Sequence, residues 1–433
     1  MRKLILLSTL LAPAAASAGG YVIPQVNARD LALSSAATAD QVGPEALFLN
    51  PAELAGLDGL SISLSGEVLA NRTSWSDPNL GSSSLIPQYN TPPSGEISYG
   101  RHINHNMAFG AAVGVDVPAG GSLVWPNGWQ GQEVIQTVKQ QIFRIGGGIG
   151  FQPVPFIKIG ASYLRYQATE ELHQSLNFLD HEGDGGIGLN GGANSFGLGI
   201  GFHIPGVPLS FGANYASAGA LGLDGDAHFT NVPPSFTTLI HDQKVHEDLK
   251  IPSTFSLGAA YAVQPNITLM AAYSWEGWNV YHTDTFVGSD GFTVVVPRNY
   301  RNAHVYRTAM EWMLSGLPQL TMRFGALRSV SSQSKDTLSP SLTDGNSWAG
   351  SIGAGYNVVP SFRIDFGYQH AIFDTVTATG AEAFPGSYQT HVDIFSLGFT
   401  YRSDVGMAPS NGAPSNGAPA PTKSPFETPD LPQ

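Results

Sequence analysis

The chain has no cysteine among its 433 residues, which excludes disulfides and thiolate chemistry. It is poor in charge: Asp, Glu, Lys and Arg make up 12% of it, well below the roughly 25% of an ordinary soluble domain. Beyond the N-terminus it lacks any run of about twenty apolar residues, so no helix is expected to span a bilayer. Cations are in the minority, 20 Lys and Arg against 33 Asp and Glu, and the net charge of −13 argues against nucleic acid as a partner. No phosphate-loop motif occurs, so nothing points to a nucleotide. What is abundant is glycine and aromatic residues, with 51 Gly, 22 Phe and 15 Tyr. That balance suits a transmembrane β-barrel, whose strands face lipid on one side and a small or polar lumen on the other.

Residues 1–18 read as a secretory signal: Arg2-Lys3, an apolar stretch from Leu4 to Ala16, and Ala16-Ser17-Ala18 as the cleavage site. From residue 60 the sequence alternates. In "STFSLGAAYAV" Phe255, Leu257, Ala259, Tyr261 and Val263 point one way, and Ser256, Gly258, Ala260 and Ala262 the other. "NSFGLGIGFH" and "SFRIDFGYQ" repeat the pattern. Period two is the strand signature. About fourteen such segments fit between 60 and 402, at roughly ten residues per spanning strand. Short turns ("NH" at 104–105, "QP" at 264–265, "VP" at 359–360) alternate with long loops. The expected fold is therefore all-β: an antiparallel transmembrane barrel with short periplasmic turns and long outer loops. Residues 19–59, small and weakly periodic, form an N-terminal plug in the lumen. Residues 403–433, with "APSNG" twice in tandem, form a Pro/Ala/Asn/Gly-rich periplasmic tail without fixed structure.

Within the plug, "LFLNPAEL" carries a helix start: Asn50 caps, Pro51 takes the first helical position, and Ala52-Glu53 follow. A signal peptide, this plug and fourteen hairpin-linked strands resemble the FadL/TodX family of outer-membrane transporters of long-chain fatty acids and other hydrophobic compounds. The resemblance is carried by "GGYVIPQVNARDLALSSAATADQVGPEALFLNPAELAGL", by "LKIPSTFSLGAAYAVQPNITLMAAYSWEGWN" and by "DTLSPSLTDGNSWAGSIGAGYNVVPSFRIDFGYQH". It implies a location in the bacterial outer membrane, a hatch inside the barrel, and a kinked third strand that opens the wall sideways. It also implies passive transport, no enzyme activity and no cofactor. Asn50-Pro51-Ala52 would hold the hatch against the wall gap. The partners implied are a long-chain fatty acid or other hydrophobic small molecule, outer-membrane lipid and lipopolysaccharide, and the barrel-assembly machinery, with the chain itself a monomer.

Several residues are then candidates. The outer loops at 169–192 and 218–252 offer Leu172, Leu176, Phe178, Leu179, Phe229, Phe236, Leu239 and Ile240 for ligand capture, or for packing on one another as a lid. "HDQKVHEDLK" (241–250) reads as an amphipathic helix. By alternation Arg144, Lys158, Arg307, Arg323 and Arg363 point into the lumen, where one of them would meet a ligand carboxylate. The competing expectation is that they pair, Arg363 with Asp365 and Arg307 with Glu311. Gly110 and Gly114, ahead of Pro118, mark the third strand for a kink. The runs "GGGIGF" and "GLGIGF" do not open helices and read as small lumen-facing residues. "HINH" and "HDQKVH" lack a clear carboxylate third ligand, so no metal site is expected. The alternatives are an uptake channel for aromatic or alkane hydrocarbons, a lipid hydrolase lacking any G-x-S-x-G elbow, and a general porin, against which the plug argues. The last strand, "HVDIFSLGFTYR", precedes a tail, so Phe399 or Tyr401 would have to serve internally as the terminal aromatic.

Overall fold

The computed structural model describes residues 25–178, 180–381 and 383–403. The leader at 1–18, the tail beyond Ser403 and Leu179 lie outside them. Fourteen long strands follow one another in order. They are β1 Gly59–Asp77, β2 Pro93–His102, β3 Ala108–Val124, β4 Thr137–Val154, β5 Ile157–Asn177 and β6 Glu182–His203. β7 runs over Leu209–Ala216 and resumes as Gly219–Thr230; β8 runs over Gln243–Ile251 and resumes as Thr254–Gln264. Then come β9 Ile267–Glu276, β10 Ala303–Met313, β11 Leu320–Val330, β12 Ser347–Val359, β13 Phe362–Phe373 and β14 Ser387–Arg402. Each pairs antiparallel with the next, and β14 returns to β1 in unbroken register from Ser61↔Arg402 to Ser76↔Ser387. The sheet is thereby a closed barrel, which leaves no row of unpaired backbone groups to lipid at the seam.

Alternation builds this wall. Phe196, Leu198, Ile200 and Phe202 are exposed on the outside, as are Leu257, Tyr261 and Val263. Ser195 and Asn214 are buried on the inside. Phe399 and Tyr401 also face outward.

The outer ends differ from expectation. Residues 169–192 are mostly not loop, because β5 runs on to Asn177 and β6 begins at Glu182. The inward row Ala168, Glu170, Leu172, Gln174, Leu176 keeps period two beyond the bilayer, so the hairpin simply continues. The expected helix at 241–250 is also corrected: Gln243–Ile251 is a strand, paired with Gly219–Thr230 on one side and Thr283–Gly288 on the other. Val245, Glu247, Leu249 and Ile251 are its buried row. The period is two, and strands on both sides were available to pair.

Inside, residues 25–57 are short turns rather than long helices. α1 is Ala28–Ala32 and α2 is Ala46–Leu49, followed by a 3₁₀ turn over Pro51–Gly56. Asn27 caps α1 by accepting from Asp30 N at 2.9 Å. Nearly every residue of this segment is buried. α1 packs on β11, β12, β13 and β14, and the 3₁₀ turn on β3 to β6.

Candidate functional site

The N-terminal segment meets two walls. Against β3–β6 it is fitted backbone to backbone. An added Cβ at Gly160 would overlap Pro51 C and Ala52 N, and one at Gly110 would overlap Leu54 O. At Gly150 it would come within 2.6 Å of Ala55 N. Only glycine permits that approach. Asn50 is fully buried: its Oδ1 accepts from Ala52 N at 3.3 Å, and its Nδ2 donates to Thr38 O at 2.9 Å and Ile200 O at 3.3 Å. Lys158 on β5 donates to Glu53 at 2.6 Å. Asn50-Pro51-Ala52 thus rests on an intact stretch of wall rather than beside a break.

Against β10–β13 glycines admit the segment as well, an added Cβ at Gly367 coming within 2.6 Å of Ala28 O and one at Gly325 within 2.8 Å of Leu33 C, and an ionic grip is added. Arg29 of α1 bridges Asp40 at 3.2 Å and Glu311 at 3.1 Å. Glu311 also takes Arg323 at 2.6 Å, Arg323 reaches Asp365 at 2.6 Å, and Asp365 holds Arg363 at 3.0 Å. Nearby, Asp30 of α1 accepts from Ser35 Oγ at 2.9 Å. Burial pushes the Asp30 carboxyl up to about 6, a rise that the Ser35 bond opposes.

Of the five lumen cations read from the sequence, four are spoken for. Arg323, Arg363 and Lys158 are paired as above. Arg144 donates to Asp116 at 2.9 Å and lies 4.4 Å over the Phe48 ring. Arg307 is different. It does not pair with Glu311, because four strand residues separate the two by about 13 Å. It donates to Ser274 Oγ at 2.6 Å, its Nε has no partner, and no carboxylate lies within ion-pair distance among the described residues.

Arg307 lines a chamber of about 140 Å³ between the N-terminal segment and the wall. Phe48 and Leu49 close it on one side; Pro118, Ala119, Ile142 and Tyr166 close it on another. Pro118 and Ala119 belong to the one irregular stretch of β3. The register with β4 passes from Asp116↔Arg144 to Ala119↔Ile142, three residues against two. One residue is extra, which is a bulge. Gly110 and Gly114, the expected kink, sit in unbroken register opposite Gly150 and Gly146. Gly110 is needed for Leu54 instead, and the bend falls at Pro118, which has no N–H to give. β2 accompanies β3 only as far as Gly95↔Val115. Past that point β3 is paired on the β4 side alone until Ile86 N reaches Val124 O at 2.8 Å. On the outer side of this gap lies a second cavity of about 330 Å³, bordered by Tyr89, Asn90, Val117, Gly120, Gly121 and Lys139. The bulge borders both cavities, Pro118 and Ala119 lining the chamber and Val117 and Gly120 the outer one.

The capture candidates divide. Leu172, Leu176 and Ile240 are buried, and Phe229 packs on the cluster that holds Leu172. Phe178 and Phe236 stack at 5.4 Å, with Phe236 exposed and Leu239 65% exposed. Leu179 is outside the described residues. Below these tips an aromatic group escaped the sequence reading. Trp125 stacks on Trp129 at 4.4 Å, and Trp75 and Phe384 lie 5.9 Å and 5.5 Å from Trp129. One continuous apolar cluster joins these rings through Ile142 and Leu164 to Leu47, Phe48 and Leu54. Tryptophan in two separated outer segments, at 75 and at 125 and 129, was the signal available. Of the histidines of "HDQKVH", His241 lies 3.6 Å from Asp290, and His246 lies 2.8 Å from Asp224 and 3.6 Å from Asp248.

Residues 9–403 match the family model described as outer membrane protein transport protein (OMPP1/FadL/TodX). A FadL homologue of Pseudomonas aeruginosa shares 18% identity and superposes with a TM-score of 0.78, over 89% of this chain and 100% of that one. The toluene transporter TodX of P. putida shares 15%, at a TM-score of 0.70, over 88% and 99%. The CymD monoaromatic hydrocarbon channel shares 15%, at 0.66, over 87% and 97%. No curated protein matches the chain. The family match spans most of the sequence and the fold is that of the solved structures: the chain belongs to the FadL/TodX family of bacterial outer-membrane β-barrels, which are transport channels for hydrophobic compounds and not enzymes.

Proposed function

We propose that the chain passes long-chain fatty acids, or amphiphiles like them, across the outer membrane without energy input, with residues 19–59 as a movable hatch. The observation that carries this reading is the β3 bulge, which has the lumen chamber on one face and the open gap beyond β2 on the other. Ligand gathers at Phe178, Phe236 and Leu239, follows the tryptophan-lined apolar cluster down, and leaves sideways past Pro118. Each CH₂ taken from water gains about 0.8 kcal/mol, so a dry route is favoured over a wet pore. A chamber of about 140 Å³ is below the ~300 Å³ at which ligand pockets begin. A hatch shift must therefore enlarge it before a long acyl chain enters. Arg307, whose Nε has no partner although Asp30 and Glu276 line the same chamber, favours an acid as ligand. The second reading, a neutral aromatic or alkane hydrocarbon, makes Arg307 structural; a lipid hydrolase is the least supported.

The test is uptake of a labelled long-chain fatty acid and a labelled monoaromatic by cells with and without the protein, repeated after deletion of Pro118. That deletion removes the extra residue and straightens β3. Fatty-acid uptake that depends on the protein and falls on straightening is the expected result. Protein-dependent uptake of the aromatic alone would move the ligand to the hydrocarbon class. Uptake untouched by the deletion would end the lateral route.

A further inference from the structure

The outer wall carries charge where a lipid-facing surface should have none. Register places Arg328 of β11, Trp348 of β12, Ile372 of β13, His391 of β14 and Arg72 of β1 in one row across the barrel. All belong to the outward-facing set of their strands, near the ends that lead into the long outer connections. A charged residue on the lipid face is tolerated only towards the interface, so this row sits at outer-leaflet headgroup level. Arg328 donates to Asp374 at 3.2 Å, lies 5.0 Å over the Trp348 ring, and has a buried Nη1 without a partner. Arg72 pairs with Asp393, which also accepts from Tyr368 OH at 2.7 Å and meets His370 Nδ1 at 2.8 Å. The Asp393 side chain is only 11% exposed and that of Arg72 is 63% exposed. The acid is covered and the cation presented.

Directly below, the next row is small. Ala259, Ala271, Thr308, Ala326 and Gly350 are register partners in succession on β8 to β12. The rows on either side are large: Tyr273 and Tyr306 above, Met310 and Phe324 below. The result is a groove of about 780 Å³ whose upper rim ends at Arg328 and Trp348. Five strands at about 4.8 Å spacing make it roughly 19 Å long.

We propose that this surface holds one phosphorylated, acylated glycolipid of the outer leaflet, with an acyl chain in the small-residue groove and its phosphate on the Arg328–His391–Arg72 row. The two features are independent and adjoin in the order that such a lipid presents them, charge outward and chain inward. Asp374 and Asp393 are the counter-charges; Asp393 leaves the Arg72 guanidinium exposed to phosphate, whereas Arg328 is the more covered member of its pair with Asp374. His370, His391 and His304 are the remaining titratable groups on this face.

The experiment titrates the detergent-solubilised full chain with diphosphorylated lipid A and counts retained lipid by native mass spectrometry. The same lipid without phosphates and phosphatidylglycerol are run beside it on unaltered protein. One retained lipid A is expected, and loss of its phosphates weakens binding by about tenfold or more, as does the double variant Arg72→Gln/Arg328→Gln. Ala271→Leu/Ala326→Leu, which fills the groove, weakens it with the arginines intact and leaves solute uptake unchanged. Equal binding of the dephosphorylated lipid or of phosphatidylglycerol overturns the proposal. So does indifference to both double variants, or a dimer that the groove-filling variant dissolves, which would make the face a self-association surface.

Discussion

The N-terminal segment is gripped by two walls that share glycine seats but differ in the charge they add, one ion pair, Lys158–Glu53, on β3–β6 and a ladder of them on β10–β13. On β3–β6 it lies against glycines at positions where any side chain would enter its backbone. On β10–β13 it is held through the ladder Asp40–Arg29–Glu311–Arg323–Asp365. A shape fit is dry, short-ranged and indifferent to salt. A buried ion ladder is costly to form and costlier to break, because removing one member strands the others. For a segment proposed to move, the difference assigns roles. On that proposal the ion ladder is the switchable anchor, and the glycines of β3–β6 are the seat to which the segment returns.

The largest effect should come from the ladder. Glu311→Gln leaves Arg29 and Arg323 short of a shared counter-charge, at a cost of about 3–5 kcal/mol. Steady conductance in planar bilayers, absent from the unaltered chain, is the expected readout; a silent variant would mean the anchor lies elsewhere. Next comes the seat. Gly160→Val drives a side chain into Pro51 and Ala52, and overpacking of this kind costs about 1–3 kcal/mol. Hydrogen exchange should then rise across 46–57 before it rises across 28–40; the reverse order would remove the distinction between the walls. Smaller, and confined to function, is Arg307→Gln. Fatty-acid uptake should weaken by about tenfold, the worth of one charge-assisted bond, while monoaromatic uptake and thermal stability stay put. Parallel loss of both solutes would make Arg307 structural.

The smallest effect concerns pH. With Asp30 raised to about 6 when seated and near 3.9 when released, the seated state binds a proton that the released state does not. Seating should therefore strengthen as pH falls from about 7 towards 5, seen as slower exchange of the amides around Asp30. Faster exchange over that range would show that the ladder, and not Asp30, dominates.

The wall was legible because alternation is local. Phe255, Leu257 and Tyr261 declare their common face without reference to any other strand, and the glycine runs of β4 and β6 declare theirs. Where the reading failed, a distant partner decided. The segment at 241–250 is a strand because neighbours on both sides offer it pairing. Gly110 looked like a kink and is a seat for Leu54, which no pattern around 110 records. The actual bend needed Pro118 together with β4's shorter count of residues opposite it.

By itself the sequence determined the class of fold, the strand count, which face meets lipid, and the presence of a capped turn at Asn50. These follow from period two, from turn chemistry and from composition, each readable within a dozen residues. Only the closed barrel decided which cations are consumed. Arg29 finds Glu311 from 282 positions away, whereas closure leaves Arg307 outside ion-pair distance of Asp30 and Glu276, the acids that share its chamber. The lipid-facing row from Arg328 to Arg72 exists for the same reason. It is written across four strands and the seam, and it comes into being only when β14 pairs with β1.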